Sequence, residues 1–403
     1  MVKEVGLITY HAAYNYGSVL QAWATQHMIE QLGYKCKIIN YRMKSQKAHY
    51  SLLRLTGPRA FVNDMLMLPY LDKRRFRAER FESFIKDYLN LTEEKSEPDS
   101  LNLNGMFSTV VSGSDQIWNK YSNELRHVDW EYMYPYLLKG FNGKKISYAS
   151  SVSNMGEEDI KKILDEIQRF DHLSFREMIS AELISNMLHR TVAAVLDPTF
   201  LLDKNQWISS FGLRKKDEGK YVLFYSLTDK TVIERARNLL NHFHAEGYKI
   251  KYITPYAKMK FQEGYEDCRD YGPLEFLDAL FNAEKIITDS YHGTILSINL
   301  GKEFYSINGQ YASDMRKLDV LLKLDLNSRI ISWDEEYEKL DTNDINYEVV
   351  YNKLSPLRRD SIDYLTKSLK MRKRHFASLW PFLITIRLFS CKGALQRNSQ
   401  WFH

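Results

Sequence analysis

The stretch from residue 6 to residue 41, GLITYHAAYNYGSVLQAWATQHMIEQLGYKCKIINY, decides the fold. Its apolar opening, GLITY, reads as a buried strand, and KCKIINY at its end reads as another. Between them Leu20, Ala24, Met28 and Leu32 recur every four residues, which puts them on one face of a helix. Gly33 follows as a helix stop. Strand, helix and strand make a βαβ unit, and in open α/β sheets ligands bind at the carboxyl ends of the strands. The loop HAAYNYG, residues 11–17, lies at that edge, so Asn15, Tyr16 and Gly17 are candidate cleft residues.

The same alternation continues outward. Short strands are expected in STVVSG, KISYASS, HLSFRE and AAVLDPTFLL, with a helix over EEDIKKILDEIQRF. Residues 43–100 break the pattern with a charged, aromatic stretch, and DKRRFRAERFESFIKDYL within it reads as one long solvated helix, an insertion into the first domain. The polar segment GLRKKDEGK marks a domain boundary near residue 212. A second series then runs from YVLFYSL through the helix PLEFLDALFNAE, the strand KIITDS, the helix TILSINLG and the strand EFYSIN. The expected organisation is an N-terminal α/β domain over 1–211, a C-terminal α/β domain over 212–335 and a helical basic tail over 336–403, with a cleft between the two domains.

Composition narrows the function. The net charge is +5, but eight basic residues and no acidic one lie between Leu365 and His403, so the excess sits in a tail and not on a domain face. A nucleic-acid binder is not expected. Three scattered cysteines without a CxxC pattern argue against a disulfide framework and a zinc site, and the histidines, including His242 and His244, lack convergent carboxylates or thiols. No metal is expected. MVKEVGLITY shows no basic segment leading into an apolar core, so no export signal is expected and a cytoplasmic location follows.

Four segments carry candidate chemistry. In KIITDSYHGTILSIN the strand should end near Asp289 and the helix begin near Gly293, where unpaired backbone N–H groups favour an anion. His292 is then placed as an acid or a phosphate-binding cation; the plain alternative is that Ser290 or Asp289 caps the helix and His292 packs against a loop. Arg176 in HLSFREMIS stands at a strand end and can take a carboxylate in two parallel bonds, or be a surface ion pair. VVSGSDQIWN offers Ser114, Asp115 and Gln116 to a sugar, or is a turn with Trp118 in the core. Arg316 and Lys317 open a helix whose Leu318, Leu321 and Leu322 should point inward; basic groups there oppose the helix dipole unless an anion is present, or one of them is solvated surface.

These pieces, with LSFRE, VLDPTFLLD, PLEFLDALFNAEKIITDSYHGTILSINLGKEFY and MRKLDVLLKLDL, resemble the polysaccharide pyruvyl transferase family in order and spacing, from about residue 5 to residue 326. The resemblance implies two Rossmann-like domains similar to the GT-B glycosyltransferase architecture. It also implies transfer of pyruvate from phosphoenolpyruvate to two sugar hydroxyls as a ketal, without a redox cofactor. Arg176 matches the family's donor-binding arginine and His292 its histidine; Gly293 and either Arg316 or Lys317 fall in the same donor set. Phosphoenolpyruvate carries a phosphate and a carboxylate, so several fixed cations or backbone donors suit it. His292 is the expected proton donor or phosphate ligand, and Asp115 a candidate for activating or positioning the sugar hydroxyl.

Two alternatives stand beside this. One is a nucleotide-sugar glycosyltransferase of GT-B type, and the other a non-catalytic sugar-binding module. The tail over 367–390 pairs a basic cluster with an apolar run too short to span a bilayer. It is expected either to pack across the domains as a helix or to make peripheral contact with the inner face of the plasma membrane, where lipid-linked sugar acceptors are assembled.

Overall fold

A computed structural model describes residues 3–52, 65, 68–227, 230–255, 261–308, 315–331 and 343–370. The described residues up to Leu369 lie in one compact unit. The opening βαβ unit forms as its periodicity requires: β1 (Glu4–Ile8), α1 (Tyr16–Gln31) and β2 (Lys35–Ile38). Past β2 come α2 (Lys44–Tyr50), α3 (Leu71–Tyr88), β3 (Thr109–Ser112) and β4 (Lys144–Ser147). These strands form an all-parallel sheet in the order β2-β1-β3-β4, with Leu7 opposite both Ile38 and Val111. A parallel pair, β5 (Ser174–Phe175) and β6 (Ala193–Ala194), flanks α4 (Met178–Leu188) and continues the sheet edge through bridges from Ile146 to His172 and from Ser150 to Phe175.

After α5 (Lys204–Phe211) a second parallel sheet follows. It contains β7 (Tyr221–Tyr225), α6 (Lys230–Ala245), β8 (Lys249–Ile253), β9 (Glu266–Asp267), α7 (Pro273–Asn282), β10 (Lys285–Thr288), α8 (Tyr291–Leu300), β11 (Glu303–Ile307), α9 (Met315–Lys323) and β12 (Ile330–Ile331). The order is β12-β11-β10-β7-β8-β9. Burial on both faces explains the near-continuous apolar runs of β7, β10 and β11. The expected pair of Rossmann-like parallel sheets is therefore present.

The two sheets meet through aromatic and polar contacts. Tyr16 stacks on Phe276 with ring centroids 4.3 Å apart, and its hydroxyl donates to the Tyr271 carbonyl. The helix over 71–88 departs from the solvated insertion expected of it. Phe81, Phe84 and Ile85 are buried, Phe81 lies against Tyr14 and Tyr16, and Arg80 pairs with Asp270 and Glu275 of the second half. Its charged residues mislead because three apolar residues on one face suffice to seat it.

A long terminal helix, α10 (Tyr347–Leu369), ties the halves together. Tyr351 donates to the Asn299 carbonyl near its start, Arg358 reaches the Phe200 carbonyl and Asn299, and Tyr364 donates to the Ser147 carbonyl near its end. The expected membrane or packing segment beyond residue 370 lies outside the described residues. No described helix is long and apolar enough to cross a membrane. EEDIKKILDEIQRF forms two short helices, Glu157–Lys161 and Leu164–Gln168, and not one. Of AAVLDPTFLL only Ala193–Ala194 is strand, because Asp197 and Pro198 turn the chain at once.

Candidate functional site

The carboxyl edges of the two sheets face one another at β1, β3, β5 and β10, and the sequence candidates collect there. β5 ends at Phe175, which leaves Arg176 as the first residue past the strand and carries its side chain inward; it is 4% exposed. Its Nη1 donates to Asp197 Oδ2 at 3.0 Å, Nη2 lies 3.9 Å from Asp115 Oδ1, and Nε lies 3.8 Å from Glu177 Oε1. Arg176 is thus no surface ion pair. Its guanidinium carbon sits 4.4 Å from the centre of the Tyr291 ring, a cation–π contact on a desolvated face.

His292 arrives from the opposite sheet. β10 stops at Thr288, Ser290 caps α8 by accepting the Gly293 N–H at 3.2 Å, and His292 falls in the first turn. Its Nε2 lies 3.4 Å from Asp197 Oδ2, the oxygen that also holds Arg176. Asp197 divides its work: Oδ1 accepts from Thr199 N and Thr199 Oγ1 to close its own turn, and Oδ2 faces the two candidate donor-site residues. Burial alone would hinder ionisation of Asp197, but His292 and Arg176 outweigh it and hold the carboxyl well below its ordinary range. Arg176 is shifted the other way: burial lowers its pKa, and Tyr291 with Glu177, Asp197 and Asp115 raises it further, so the guanidinium is permanently charged.

Asp115 lies across the cluster, with a left-handed φ of 76°. Ser18 Oγ donates to its Oδ2 at 2.7 Å and the Gln116 N–H to its Oδ1 at 2.8 Å. Burial opposes its charge, yet Arg176, His292 and the Ser18 bond leave its pKa lowered. A depressed carboxylate with both oxygens bonded is a weak base and a good anchor for a cation. Ser114 turns away and donates to the Ala149 carbonyl, and Trp118 is fully buried in the core.

Arg316 also reaches the cluster. Its Nε lies 4.0 Å from Glu177 Oε1, its guanidinium carbon 5.6 Å from the Tyr291 ring centre, and the Gln116 carboxamide oxygen 2.8 and 3.0 Å from its terminal nitrogens. Burial and the neighbouring Arg176 charge lower its pKa. Two guanidiniums therefore lie beside one tyrosine ring and repel one another, an arrangement that an anion bound to both would relieve.

Three expected placements need correction. Lys317 is buried and its Nζ donates to the carbonyls of Asp289 and Ile307, so it fastens the ends of β10 and β11 beneath the site while its neighbour Arg316 faces the cluster. Gly293 does not offer a free amide, since Ser290 Oγ accepts it; a Cβ there would lie 2.5 Å from Thr288 Oγ1 and 3.0 Å from the Tyr225 ring, so the glycine serves close packing of α8 on the sheet. Leu322 points outward at 54% exposure, whereas Val320, Leu321 and Leu324 are buried. Of the first loop, Asn15 caps α1, Tyr16 packs on Phe276 and Gly17 lies against His292.

Asp197, Glu177, Tyr291 and Ser18 went unrecognised in the sequence as parts of the cluster. Glu177 follows Arg176 directly and Tyr291 precedes His292, so adjacency was the available signal. Asp197 carried only its Asp-Pro turn pattern. Among the described residues, Arg176 Nε and Nη2, His292 Nε2, Tyr291 Oη and the acceptor Glu177 Oε2 are buried without a hydrogen-bond partner. Donors of this kind outnumber the one acceptor, which suits an oxygen-rich anionic ligand.

The sequence model of the polysaccharide pyruvyl transferase family matches residues 15–311. No curated protein matches the chain. Among solved structures, S. aureus MnaA with UDP aligns at a TM-score of 0.46 and 8% identity, covering 91% of each chain. Arabidopsis thaliana UGT89C1 with UDP-L-rhamnose aligns at 0.43 and 12% identity, covering 91% of this chain and 93% of its own. Spinosyn rhamnosyltransferase SpnG with thymidine diphosphate aligns at 0.41 and 9% identity, covering 91% and 96%. With Arg176 and His292 inside the matched span, the chain belongs to the polysaccharide pyruvyl transferase family, transferases of polysaccharide biosynthesis.

Proposed function

We propose that the protein moves pyruvate from phosphoenolpyruvate to two hydroxyls of a sugar in a polysaccharide or its lipid-linked precursor, leaving a ketal and inorganic phosphate. The observation that carries this reading is the convergence of Arg176 and His292 on Asp197, with buried donor atoms still lacking partners among the described residues. Residues 1–211 are read as the acceptor side and 212–335 as the donor side, with phosphoenolpyruvate at their junction.

Charge sets the division of labour. Arg176 and Arg316 are matched by Asp115, Glu177 and Asp197, so the site is a balanced network and not a bare cationic cage. Arg176 is assigned to the donor carboxylate and Arg316 to the phosphate. His292 is assigned to proton delivery. A proton added to the methylene carbon leaves C2 electron-deficient, stabilised by its ester oxygen. A sugar hydroxyl then adds to C2 and loses its proton, the C2–O bond to phosphate breaks, and the second hydroxyl adds to C2 to close the ketal, releasing a second proton. Asp115, bonded to Ser18 and facing Arg176, is assigned to positioning and not to proton removal.

Incubation of a glycan library with phosphoenolpyruvate tests this. Phosphate released only when an acceptor is present, together with a glycan heavier by one ketal-linked pyruvate, supports it. Turnover of a nucleotide sugar in place of phosphoenolpyruvate would overturn it.

A further inference from the structure

A second cavity, of about 420 Å³, opens beside the β1–α1 loop between α2 and α3. Tyr14, Arg42, Gln46, Lys47, Tyr50 and Glu82 line it. None of them belongs to the Arg176–His292 cluster. Small-molecule sites run from roughly 300 Å³ upward, so the space suits one ring and not a long chain.

Its chemistry is that of a neutral polyol. Arg42 forks onto Glu82, which also accepts from the Tyr14 hydroxyl, and Lys47 pairs with Glu94. Each cation of the wall is already paired, Arg42 with Glu82 and Lys47 with Glu94 just outside the lining, which weakens any preference for an ionic ligand. Tyr14 and Tyr50 stand with ring centroids 4.9 Å apart at 37°, a pair of amphipathic surfaces suited to the apolar face of a pyranose. Gln46 is 5% exposed, and its Oε1 has no hydrogen-bond partner among the described residues. A buried acceptor without a donor is costly, and a sugar hydroxyl would satisfy it.

The Tyr50 hydroxyl at the cavity donates to Glu124 Oε1 at 3.2 Å. Burial, and after it the charge of Asp115, pushes the Glu124 carboxyl up to about 7. We propose that this cavity holds one uncharged hexopyranose ring of the acceptor glycan, with Gln46 Oε1 taking a hydroxyl and Tyr14 and Tyr50 together forming one aromatic wall against the ring. The assignment rests on the reading of the chain as a pyruvyl transferase, and extends it to a subsite for the acceptor.

Saturation-transfer NMR on the full chain tests it, with methyl β-D-galactopyranoside, methyl β-D-glucopyranoside and methyl α-D-mannopyranoside as probes. At least one glycoside should receive saturation from the wild type, and its Kd should rise at least ~10-fold in Gln46→Leu and in Tyr50→Ala. Tyr50 is only partly buried, so the second variant keeps the test alive if the first does not fold. Absence of transfer to all three glycosides, or equal binding by the variants, overturns the proposal. Phosphoenolpyruvate is titrated into the same samples. Glycoside binding without phosphoenolpyruvate binding would defeat the donor assignment and leave this subsite standing; the reverse would defeat the subsite alone.

Discussion

The imidazole of His292 fills the place where a side chain on Gly17 would begin: Cγ and Nδ1 both lie 2.1 Å from the position of a Cβ built there. The first turn of α1 and the first turn of α8 can approach this closely only because residue 17 has no side chain. Gly17 therefore sets the position of His292 from the opposite sheet. Gly17→Ala should displace the ring, lower kcat ~100-fold and cost about 1–3 kcal/mol in stability. A cycle with His292→Gly checks the cause, because the His292 Cβ also lies 2.6 Å from that position. Removal of the ring together with its Cβ should restore most of the stability lost to the alanine; an additive penalty would show that Gly17 matters for another reason.

Arg176→Lys should separate chemistry from folding. Complete loss of the guanidinium leaves three buried carboxylates, Asp115, Glu177 and Asp197, with only Arg316 and His292 beside them, a change of about 3–5 kcal/mol. Lysine keeps the charge but loses the planar fork and the stacking on Tyr291. The expected outcome is a kcat/KM for phosphoenolpyruvate lowered at least ~100-fold, with a melting temperature within a few degrees of wild type. Unchanged kcat/KM would remove Arg176 from donor binding.

How much of this was legible follows from what each residue's role depends on. The βαβ units were readable because burial on both faces of a parallel sheet imprints apolar runs, as in β7 and β10. Arg176 was readable because a charged group directly after such a run must sit at the ligand edge, and His292 because it falls in the first turn of the helix that follows one. Asp197 was not, since its pairing with His292 is created by topology between distant segments. Gly293 and Lys317 had the right residue types, but their donors were already engaged by Ser290 and by backbone carbonyls. Periodicity marks where a group stands; it does not mark whether its hydrogen bonds are already made.

Acid should unfold the protein through the same carboxylates. Asp115 and Asp197 both have folded pKa values below their unfolded ones. Their stabilising contribution is present above an ordinary aspartate pKa, about 4, and is lost as pH falls from there toward the depressed folded values. Denaturant midpoints measured from pH 6 downward in a Glu124→Gln background, which removes the opposing titration of that carboxyl, should stay level to about pH 4.5 and then fall steeply. A midpoint that begins to decline at pH 6 would mean that other groups dominate.

Glu124 predicts the opposite slope. Its folded pKa of about 7 exceeds the unfolded value, so the folded chain binds the proton more tightly and stability declines as pH rises from about 4.5 to 7. Glu124→Gln imitates the protonated form and keeps an oxygen for the Tyr50 hydroxyl. At pH 8 the variant should melt ~1–2 °C above wild type, and at pH 5 the two should coincide. An equal gain at both values would trace the effect to packing and not to charge.

Asn299 holds the two sheets and the terminal helix at one point. Fully buried in α8, it donates through Nδ2 to the carbonyls of Thr199 and Leu202, both at 2.8 Å, and accepts from Arg358 Nη2 at 2.9 Å. Arg358 also donates to the Phe200 carbonyl, so the turn that follows Asp197 is gripped from two sides. Asn299→Leu preserves volume but takes the Nδ2 donor from the Leu202 carbonyl, leaves the Thr199 carbonyl with Trp207 Nε1 and removes an acceptor from Arg358, and should cost about 2–4 kcal/mol in urea denaturation. Tyr364→Phe removes only the bond from α10 to the Ser147 carbonyl and should cost about 1 kcal/mol. Because Asp197 is set by the same turn, Asn299→Leu should also weaken phosphoenolpyruvate binding, whereas Tyr364→Phe should not. Equal losses of binding in both variants would mean that the turn is positioned by α10 as a whole and not through Asn299.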